Sequence, residues 1–300
     1  MAVFNYAEQF SPELQQKYSR ELTSFALTQS NPGVKFLNAQ TIKLPSITVS
    51  GYKDHNRQGS GFNAGSLTNE WEPKKLTHDR DIELRVDPMD VDETNLVLDM
   101  ANIQNTLETD QTIPEKDKYN FSKLYAEAKT YAANGASIVT TALTAANVLD
   151  WFDEAMEKMD DESVPSEGRI LYVTPAVRKL LKKADGIQRT VDVTAGGKDI
   201  DRNVHSIDDV EIVSVPSARF KTKYNFTEGA VPAPTAKQIR AILVHPSCVV
   251  ARDKYSYINV FTPGHDAKTA DSYLLQSRFY MDLFLIKNKA TGVCINAEAE

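Results

Sequence analysis

The amino-acid sequence predicts an α+β fold in which a long hairpin, several amphipathic helices and a late antiparallel sheet follow one another along the chain. Three observations indicate this class. A polar segment rich in glycine and asparagine at 51–70 separates two strand-like segments. Apolar residues recur at helical spacing between residues 96 and 159, and strand patterns dominate residues 241–300.

Composition limits the possible functions before any motif is considered. The chain has 300 residues, of which 41% are apolar and 25% charged, as in ordinary globular proteins. Its net charge of -7 has the wrong sign for a protein whose main surface grips phosphate backbones. Residues 87–167 contain 18 acidic and 5 basic residues, whereas residues 168–300 contain 14 acidic and 19 basic residues. Either copies of the chain attract one another, or these are two solvated faces of one monomer.

The cysteines and the first residues indicate where the chain folds. Cys248 and Cys294 lie in apolar runs, where a thiol usually acts as a small hydrophobe, so we expect a reducing compartment. The start MAVFNYAEQF has neither the charged nor the apolar part of a signal peptide, and no stretch is apolar enough to span a bilayer. We therefore expect a protein that folds in a cytoplasm without a membrane anchor.

The N-terminal segment predicts an arm followed by a strand. Residues 1–35 carry a weak helical pattern that ends at an Asn-Pro-Gly turn signal. Beyond the arm, Ile42 and Leu44 share one face of a predicted strand. Ile47 and Val49 continue this strand with the opposite parity after a proline, which indicates an exposed edge.

The next segment predicts a hairpin with a polar tip. Residues 51–70 form the tip, and we expect the return strand where Ile82, Leu84 and Val86 alternate with charged residues. Two strands alone are marginally stable in water, and this tip is too polar to pack on its own core. We therefore expect the hairpin to lean on another copy of the chain.

Two consecutive amphipathic helices are predicted next. The first is capped by residues 92–94 and carries an apolar stripe from Leu96 to Leu107. A break at 112–114, which contains a proline, separates it from a second helix that stops at Gly135.

The remainder of the chain predicts two more helices and the late sheet. A third apolar stripe runs from Val148 to Met159, and a short strand at 170–173 leads to a basic helix opened by Pro175. Residues 186–236 mix short strands and loops. Further strands are predicted at 241–250, 255–261, 278–286 and 292–296. Residues 279–286 of this sheet are apolar on both faces apart from Asp282, so both faces must be covered.

No sequence motif predicts catalysis, cofactor binding or a metal site. Gly59–Gly65 resembles a phosphate loop, but its third glycine is one residue late and no helix follows, which favours a hairpin tip. Gly196-Gly197-Lys198 lacks the upstream glycine and the Ser or Thr of a nucleotide loop. The five histidines show no ligand spacing, and neither a CxxC pair nor a GxSxG turn is present. The acids between 150 and 162 lie on the polar face of a helix, which indicates a solvated or subunit-facing surface.

The order of these elements resembles that of the major capsid protein of tailed bacteriophages, the Hong Kong-type shell fold that encapsulins share. The family's junction between extended loop and spine helix is similar to THDRDIELRVDPMDVDET at 77–94. Its axial domain is similar to TALTAANVLDWFDEAMEKMDDESVPSEGRILYVTPAVRKLL at 141–181, and its closing peripheral strands to SRFYMDLFLIKNKATGVCINA at 277–297. The resemblance implies a division of the chain into an N-terminal arm at 1–35, an extended hairpin loop at 36–86, a spine helix and peripheral domain at 87–135, an axial domain at 136–240, and peripheral β-strands with the C-terminus at 241–300.

The resemblance also implies a function. Proteins of this family assemble as pentamers and hexamers into an icosahedral shell that encloses double-stranded DNA without reading its sequence. They are structural proteins, so no enzymatic activity and no cofactor is expected. The implied partners are further copies of the chain, a portal and a separate scaffolding protein, because the arm is too short for the scaffolding segment that some members carry. The implied location is the virion, after assembly in the cytoplasm of a host bacterium.

Residue types that anchor protein interfaces predict the contact positions. The candidates by residue type are Arg57, Phe62, Trp71 and Arg80, and Lys53 is a further candidate because of its position in the hairpin. Each is equally compatible with an ordinary exposed loop side chain. Lys53 has a position suited to the Lys-to-Asn cross-link of some family members, but its partners cannot be matched here, so no cross-link is predicted.

Three other functions stay open at this point. Within the same fold, an encapsulin would form a cellular shell around enzyme cargo. A hydrolase or nucleotide-binding enzyme with a dispersed site would be a monomer or small oligomer with saturable ligand binding. A tail or connector component would form rings of one fixed subunit number that never close into spheres.

Overall fold

In the computed structural model, the described residues are 21–28, 41–55, 62–93, 99–184, 206–265 and 269–299. The helices in these ranges are α1 (Phe25–Thr28), α2 (Pro88–Glu93), α3 (Met100–Leu107), α4 (Ile113–Thr130), α5 (Val148–Asp161) and α6 (Pro175–Leu181). The strands are β1 (Thr41–Val49), β2 (Leu67–Lys75), β3 (His78–Val86), β4 (Ser137–Val139), β5 (Ile170–Val173), β6 (Ser206–Ile207), β7 (Val210–Ser214), β8 (Tyr224–Asn225), β9 (Val231–Pro232), β10 (Ile239–Val244), β11 (Val249–Phe261), β12 (Tyr273–Leu285) and β13 (Val293–Ala297).

A six-stranded sheet forms the centre of the molecule, with the strand order β4-β13-β10-β5-β7-β6. The sheet is mixed, since β4 pairs in parallel with β13 and β7 in parallel with β5. Successive side chains point to opposite faces, so Tyr172 and Ile242 pack with α4 whereas Leu171 and Leu243 pack with α5 and α6. The helices α4 and α5 therefore cover opposite faces of this sheet.

A second sheet has the order β11-β12-β3 and packs on the long helix that begins with α3. Val86 and Leu275 of this sheet are buried against Met100. Residues 281–285 of β12 are buried throughout, which confirms that both faces of this segment are covered. Within it, Asp282 is 1% exposed and accepts hydrogen bonds of 2.8 Å from the Thr77 backbone N–H and from the Tyr119 hydroxyl.

The first two predicted helices form one continuous helix. The helix α3 passes into α4 through a π-helical segment at Glu108–Thr112, and the residues at both junctions keep helical dihedral angles. Pro114 lacks the N–H group that an ordinary turn would donate, and the wider π-turn before it accommodates that loss. The predicted break at 112–114 is therefore wrong, and the helix spans about 46 Å.

The sequence prediction is wrong at the N-terminal end of this long helix and is confirmed at its C-terminal end. Residues 92–94 were predicted to cap it, but Asp92 and Glu93 lie inside α2, and the long helix begins at Met100 with Asp99 as its N-cap. Leu96 is outside the described residues. At the C-terminal end the prediction is confirmed, because Gly135 has φ of 105°, a left-handed conformation that favours glycine.

The hairpin is present, but its predicted return strand is wrong. The strand β1 pairs antiparallel with β2, from Thr41 opposite Lys75 to Val49 opposite Leu67. The segment with Ile82, Leu84 and Val86 is β3, which instead pairs with β12 in the second sheet. The polar strand β2 lacks the alternation that identifies a strand, whereas β3 shows it clearly.

The other predicted elements compare well within the described residues. The helix α5, the strand β5 and the helix α6 with Pro175 in its first turn confirm the prediction. The strands β10 to β13 confirm a β-rich final segment. Of the arm, the structure describes only residues 21–28, which include α1, and the loop with Gly196-Gly197-Lys198 falls outside the described ranges. The five-segment division stays a prediction, and β10 pairs with β5 across its boundary at residue 240.

Candidate subunit-contact surfaces

The hairpin β1–β2 has two faces that differ in what they contact. The cross-strand register puts Ile42 and Leu44 on one face, and puts Ile47 and Val49 on the other. Ile42 is 1% exposed and packs with Leu76 and Phe284 of the body, with Leu44 beside it. The first face therefore attaches the hairpin to its own chain.

The opposite face of the hairpin is apolar and exposed. Val49 lies directly opposite Leu67, and these side chains are 68% and 71% exposed. Ile47 is 66% exposed and Trp71 is 52% exposed on the same face. A group of exposed apolar side chains of this kind is typical of an interaction surface. We call Ile47, Val49, Leu67 and Trp71 the outer hairpin face.

A buried lysine fixes the base of the hairpin to the long helix. The Lys74 ammonium donates a hydrogen bond to the Tyr131 hydroxyl and lies 3.1 Å from Glu72 and 3.7 Å from Glu127. Tyr131 in turn donates a hydrogen bond of 2.8 Å to Glu72. Burial alone would lower the pKa of Lys74, but its bonds to Tyr131 and Glu72 and the charge of Glu127 raise that pKa. The ammonium therefore stays charged and orients the strand β2.

Three of the five predicted contact residues lie on the hairpin within the described ranges. The Lys53 ammonium donates a hydrogen bond of 3.2 Å to the Ala64 carbonyl, so it ties the two sides of the loop together. Phe62 is 98% exposed, and Trp71 belongs to the outer hairpin face. Arg57 falls outside the described residues. The structure thus places Phe62 and Trp71 where another molecule can reach them.

Arg80 has a different position from the one expected, because it belongs to β3 and not to the hairpin. Its Nε lies 2.7 Å from Glu115 of the long helix, and it also donates a hydrogen bond to the Phe226 carbonyl. His78 beside it is buried and stacks on Tyr119 with ring centroids 3.8 Å apart. Burial and the Arg80 charge lower the pKa of His78 to about 3, so His78 is neutral at pH 7. Arg80 therefore links the second sheet to the long helix of its own chain.

A buried aspartate attaches the arm to the long helix. Asp117 is completely buried and accepts hydrogen bonds from the backbone N–H groups of Thr23 and Ser24, at 3.2 and 2.9 Å. Arg219 balances its charge at 3.0 Å. The residues come from three distant parts of the sequence, and no spacing rule would have joined them. The sequence prediction missed this site, as it missed the Lys74 site and the outer position of Leu67.

The described residues contain no group of three or more His, Cys, Asp or Glu side chains arranged to hold a metal ion. Both cysteines are buried, and burial raises their pKa values, to about 12 for Cys248 and about 11 for Cys294. The thiols are therefore protonated at neutral pH and pack as small apolar side chains. None of the described helices is both long enough and apolar enough to cross a membrane.

Solved structures from several phages are similar to this chain over nearly its whole length. The mature capsid of bacteriophage PhiM1 matches with a TM-score of 0.71 and 14% identity, covering 99% of this chain and 93% of that chain. The capsid structure of the cyanophage P-SCSP1u matches with a TM-score of 0.69 and 11% identity, covering 98% and 93%. A structure from Mycobacterium phage Che8 matches with a TM-score of 0.66 and 15% identity, covering 98% of both chains. No protein-family model and no curated protein matches the sequence. The chain thus has the fold of phage capsid structures, which confirms the predicted fold class.

Proposed function

We propose that this chain is the major capsid protein of a tailed bacteriophage, and that it assembles as pentamers and hexamers into an icosahedral shell around double-stranded DNA. The observation that carries the proposal is the outer hairpin face, because it projects apolar side chains away from the body of a chain with a phage capsid fold. An isolated globular protein gains nothing from such a projection. A subunit that lays the hairpin on a neighbour buries it.

The energetics of the hairpin favour assembly. Covering an exposed Val, Leu or Ile side chain contributes on the order of 1.5 kcal/mol, and a half-exposed Trp contributes a similar amount. Each subunit in a shell would bury this face once, so many small contributions add up over many copies. The first face of the hairpin is already attached through Ile42 and Lys74, which reduces the entropy lost on docking.

The charge of the chain suits a container for a genome. A net charge of -7 gives no broad attraction to the phosphate backbone, so packaged DNA would be held without sequence-specific binding. In this proposal the protein is structural and has no enzymatic activity. It resides in the virion after assembly in the host cytoplasm, with a separate scaffolding protein and a portal as further partners.

The first experiment is negative-stain electron microscopy after size-exclusion chromatography, on the chain expressed alone and with its neighbouring genes. We expect closed shells, or free pentamers and hexamers. A monomer under every condition would contradict the proposal and would favour an enzyme with a dispersed site. Small uniform shells that hold a protein would support an encapsulin, and rings of one fixed subunit number would support a tail or connector component.

A matched pair of variants tests the outer hairpin face in the same experiment. Val49→Asp/Leu67→Asp changes one cross-strand pair on that face, and we expect it to abolish shells because two charges replace the apolar contact. Thr48→Asp/Thr68→Asp changes the adjacent pair, which is also exposed but lies on the other face, and should assemble normally. Equal assembly by both variants would remove the hairpin face from the argument.

A further inference from the structure

A groove lined by lysines runs along the long helix on one side of the central sheet. Its walls are α4, from Tyr119 to Lys129, and the residues between 222 and 237 that include β8 and β9. The groove is open to solvent and has a volume of about 880 Å³. Lys123, Lys129, Lys223 and Lys237 line it, and among the described residues no Asp or Glu does.

The lysines of the two walls differ in their partners. Lys123 lies 3.7 Å from Glu127 and 4.0 Å from Asp282, so its charge is partly balanced. Lys223 and Lys237 form no ion pair with any residue that the structure describes, and the Lys223 side chain is exposed. The wall formed by residues 222–237 therefore carries positive charge toward an open space.

An acidic stripe of similar length lies on α5. Its members are the exposed residues Asp150, Asp153, Glu154, Glu157 and Asp161. At 100° per residue these positions fall within about a third of the helix circumference, and they extend over about 16 Å. The α4 wall of the groove, from Tyr119 to Lys129, is about 15 Å long. The two surfaces are therefore opposite in charge and equal in length.

Among the residues that the structure describes, no cation forms an ion pair with the acidic stripe. Asp160 pairs with Arg169 at 2.6 Å, but the five stripe carboxylates form no ion pair with the described residues. Burial together with the charges of Asp208 and Asp150 raises the pKa of Asp153, which shows that like charges crowd this helix. A cationic partner would relieve that repulsion.

The groove and the stripe cannot meet within one chain. The helix α4 packs on the sheet face that contains Tyr172, whereas α5 packs on the face that contains Leu171. A whole sheet therefore separates them. Two different surfaces on opposite sides of a subunit form a head-to-tail contact, and such contacts close into rings when the rotation permits.

We infer that the acidic stripe of α5 docks into the lysine groove of a second copy of this chain, and that this contact orders the subunits within a ring. The inference rests on the proposed shell function and names a contact inside its pentamers and hexamers. Opposite charges on complementary surfaces guide subunits to the correct orientation, because the reverse arrangement brings like charges together.

Charge reversal tests the contact. Lys223→Glu/Lys237→Glu makes the 222–237 wall of the groove acidic. Asp153→Lys/Glu154→Lys/Glu157→Lys leaves the stripe with three lysines and two acids, so its net charge becomes positive. We expect each of these two variants to reduce the yield of rings and shells at least tenfold, measured by sedimentation and electron microscopy at low salt. The combined variant with all five substitutions restores opposite charges and should assemble again. A combined variant that stays unassembled overturns the inference, and so do the two separate variants if they assemble normally.

A mixture of the groove variant and the stripe variant gives a second test, because each 222–237 wall then has a complementary stripe only on the other variant. Alternation around a ring is possible for six subunits and impossible for five. We expect native mass spectrometry of the mixture to show hexamers of three plus three subunits and no pentamers. Random composition overturns the inference.

Two controls separate this contact from other effects. Lys179→Glu/Lys183→Glu makes the same charge change as the groove variant, but at exposed positions on and after α6. It should assemble as the unmodified chain does. An equal loss of rings and shells would mean that net charge alone decides assembly, and would overturn the inference. Unchanged melting temperatures confirm that the variants fold. If the unmodified chain forms neither rings nor shells, the proposed function itself fails. If it assembles and groove reversal changes only DNA retention, the groove binds nucleic acid and the inference is wrong.

Discussion

The central sheet and the hairpin differ in how many of their faces the chain itself covers. Each is a set of hydrogen-bonded strands with two faces, but α4 and α5 cover both faces of the sheet from within the chain. The hairpin is covered by its own chain on one face only, near Ile42, while its outer face stays exposed. The sheet is therefore a core that the chain completes by itself, whereas no described residue covers the outer hairpin face. Substitutions in the sheet should therefore affect folding, and substitutions toward the hairpin tip should affect assembly alone.

The largest effect on the subunit is expected in the core under α4. Phe121 is fully buried, with its ring centroid 4.8 Å from that of Phe220 and 5.2 Å from that of Tyr172. Phe121→Ala should lower the free energy of unfolding by about 3 to 5 kcal/mol, because it removes apolar contacts and leaves a cavity. Urea unfolding of the soluble subunit measures this. Phe62→Ala at the exposed hairpin tip is the matched control and should change the same quantity by less than about 0.5 kcal/mol. Comparable losses of unfolding free energy in the two variants would show that the core under α4 and the hairpin tip do not differ in their contribution to folding.

The same contrast explains how much of the fold the sequence predicted. Helices that bury one face against the chain itself carry periodic apolar patterns, and a strand buried on both faces is a short apolar run, so α5, β5 and α6 were predicted correctly. The strand β2 is exposed over most of its length and has no such pattern, so the more regular β3 was taken for the return strand. A surface that is buried only in an assembly leaves little trace in the periodicity of one chain.

One further prediction failed, and one site was not predicted, for physical reasons that the sequence pattern does not reveal. A proline within a helical pattern ordinarily ends a helix, but the π-helical segment before Pro114 absorbs the missing donor, and nothing in the residue types announces a π-turn. The Asp117 site joins residues nearly a hundred positions apart, so it depends on the finished fold. Residue type named Trp71 as a contact candidate, and that role stays a prediction, whereas the packing of Arg80 against Glu115 depends on the pairing of β3 with β12.

A smaller effect is expected from the buried imidazole of His78. The pKa of His78 falls from 6.5 to about 3 on folding, so between these values the unfolded chain binds a proton that the folded chain excludes. Stability contributed by neutral His78 is therefore present above pH 6.5 and is lost as pH falls, by about 1.4 kcal/mol per pH unit. Glu115 at 3.6 Å opposes this shift, but its charge is already paired with Arg80.

His78→Gln, which cannot titrate, measures this contribution. Between pH 7.5 and pH 5 the unmodified chain should lose about 2 kcal/mol more stability than the variant does in urea unfolding. His55→Gln replaces an exposed imidazole of the hairpin and should keep the pH dependence of the unmodified chain. If His78→Gln loses as much stability between pH 7.5 and pH 5 as the unmodified chain does, then His78 in the body contributes no more to the pH dependence than His55 in the hairpin.

A substitution at the junction between the body and the hairpin should lower the stability of the subunit by a smaller amount. Lys74→Met leaves Glu72 and Glu127 without their shared cation, and we expect a cost of about 1 kcal/mol because Glu72 is partly solvated. That cost corresponds to a melting temperature lower by about 2 °C. Amide hydrogen exchange in β1 should also accelerate, since the hairpin base loses its link to the long helix. Lys75→Met changes the adjacent, exposed lysine and should leave both quantities unchanged; equal effects would show that Lys74 does not hold the hairpin.

Deletion of the hairpin tip should have the smallest effect on the stability of the subunit and should abolish assembly. The described residues of the tip, 51–55 and 62–69, are all exposed, and the side-chain hydrogen bonds of Lys53 and Asn63 remain within the loop. Deleting residues 51–69 removes no described residue that packs on the body, so the free energy of unfolding should change by less than about 0.5 kcal/mol. The deletion also removes Leu67, one of the four side chains of the outer hairpin face, and with residues 67–69 the strand segment that pairs with Ile47 and Val49. The product should be a soluble subunit that unfolds cooperatively and forms no shells in electron microscopy, because the outer hairpin face, which no described residue covers, is the proposed subunit contact. Shells of normal yield from this deletion would show that the hairpin tip is dispensable, and the contacts that build the shell would then have to lie on the body.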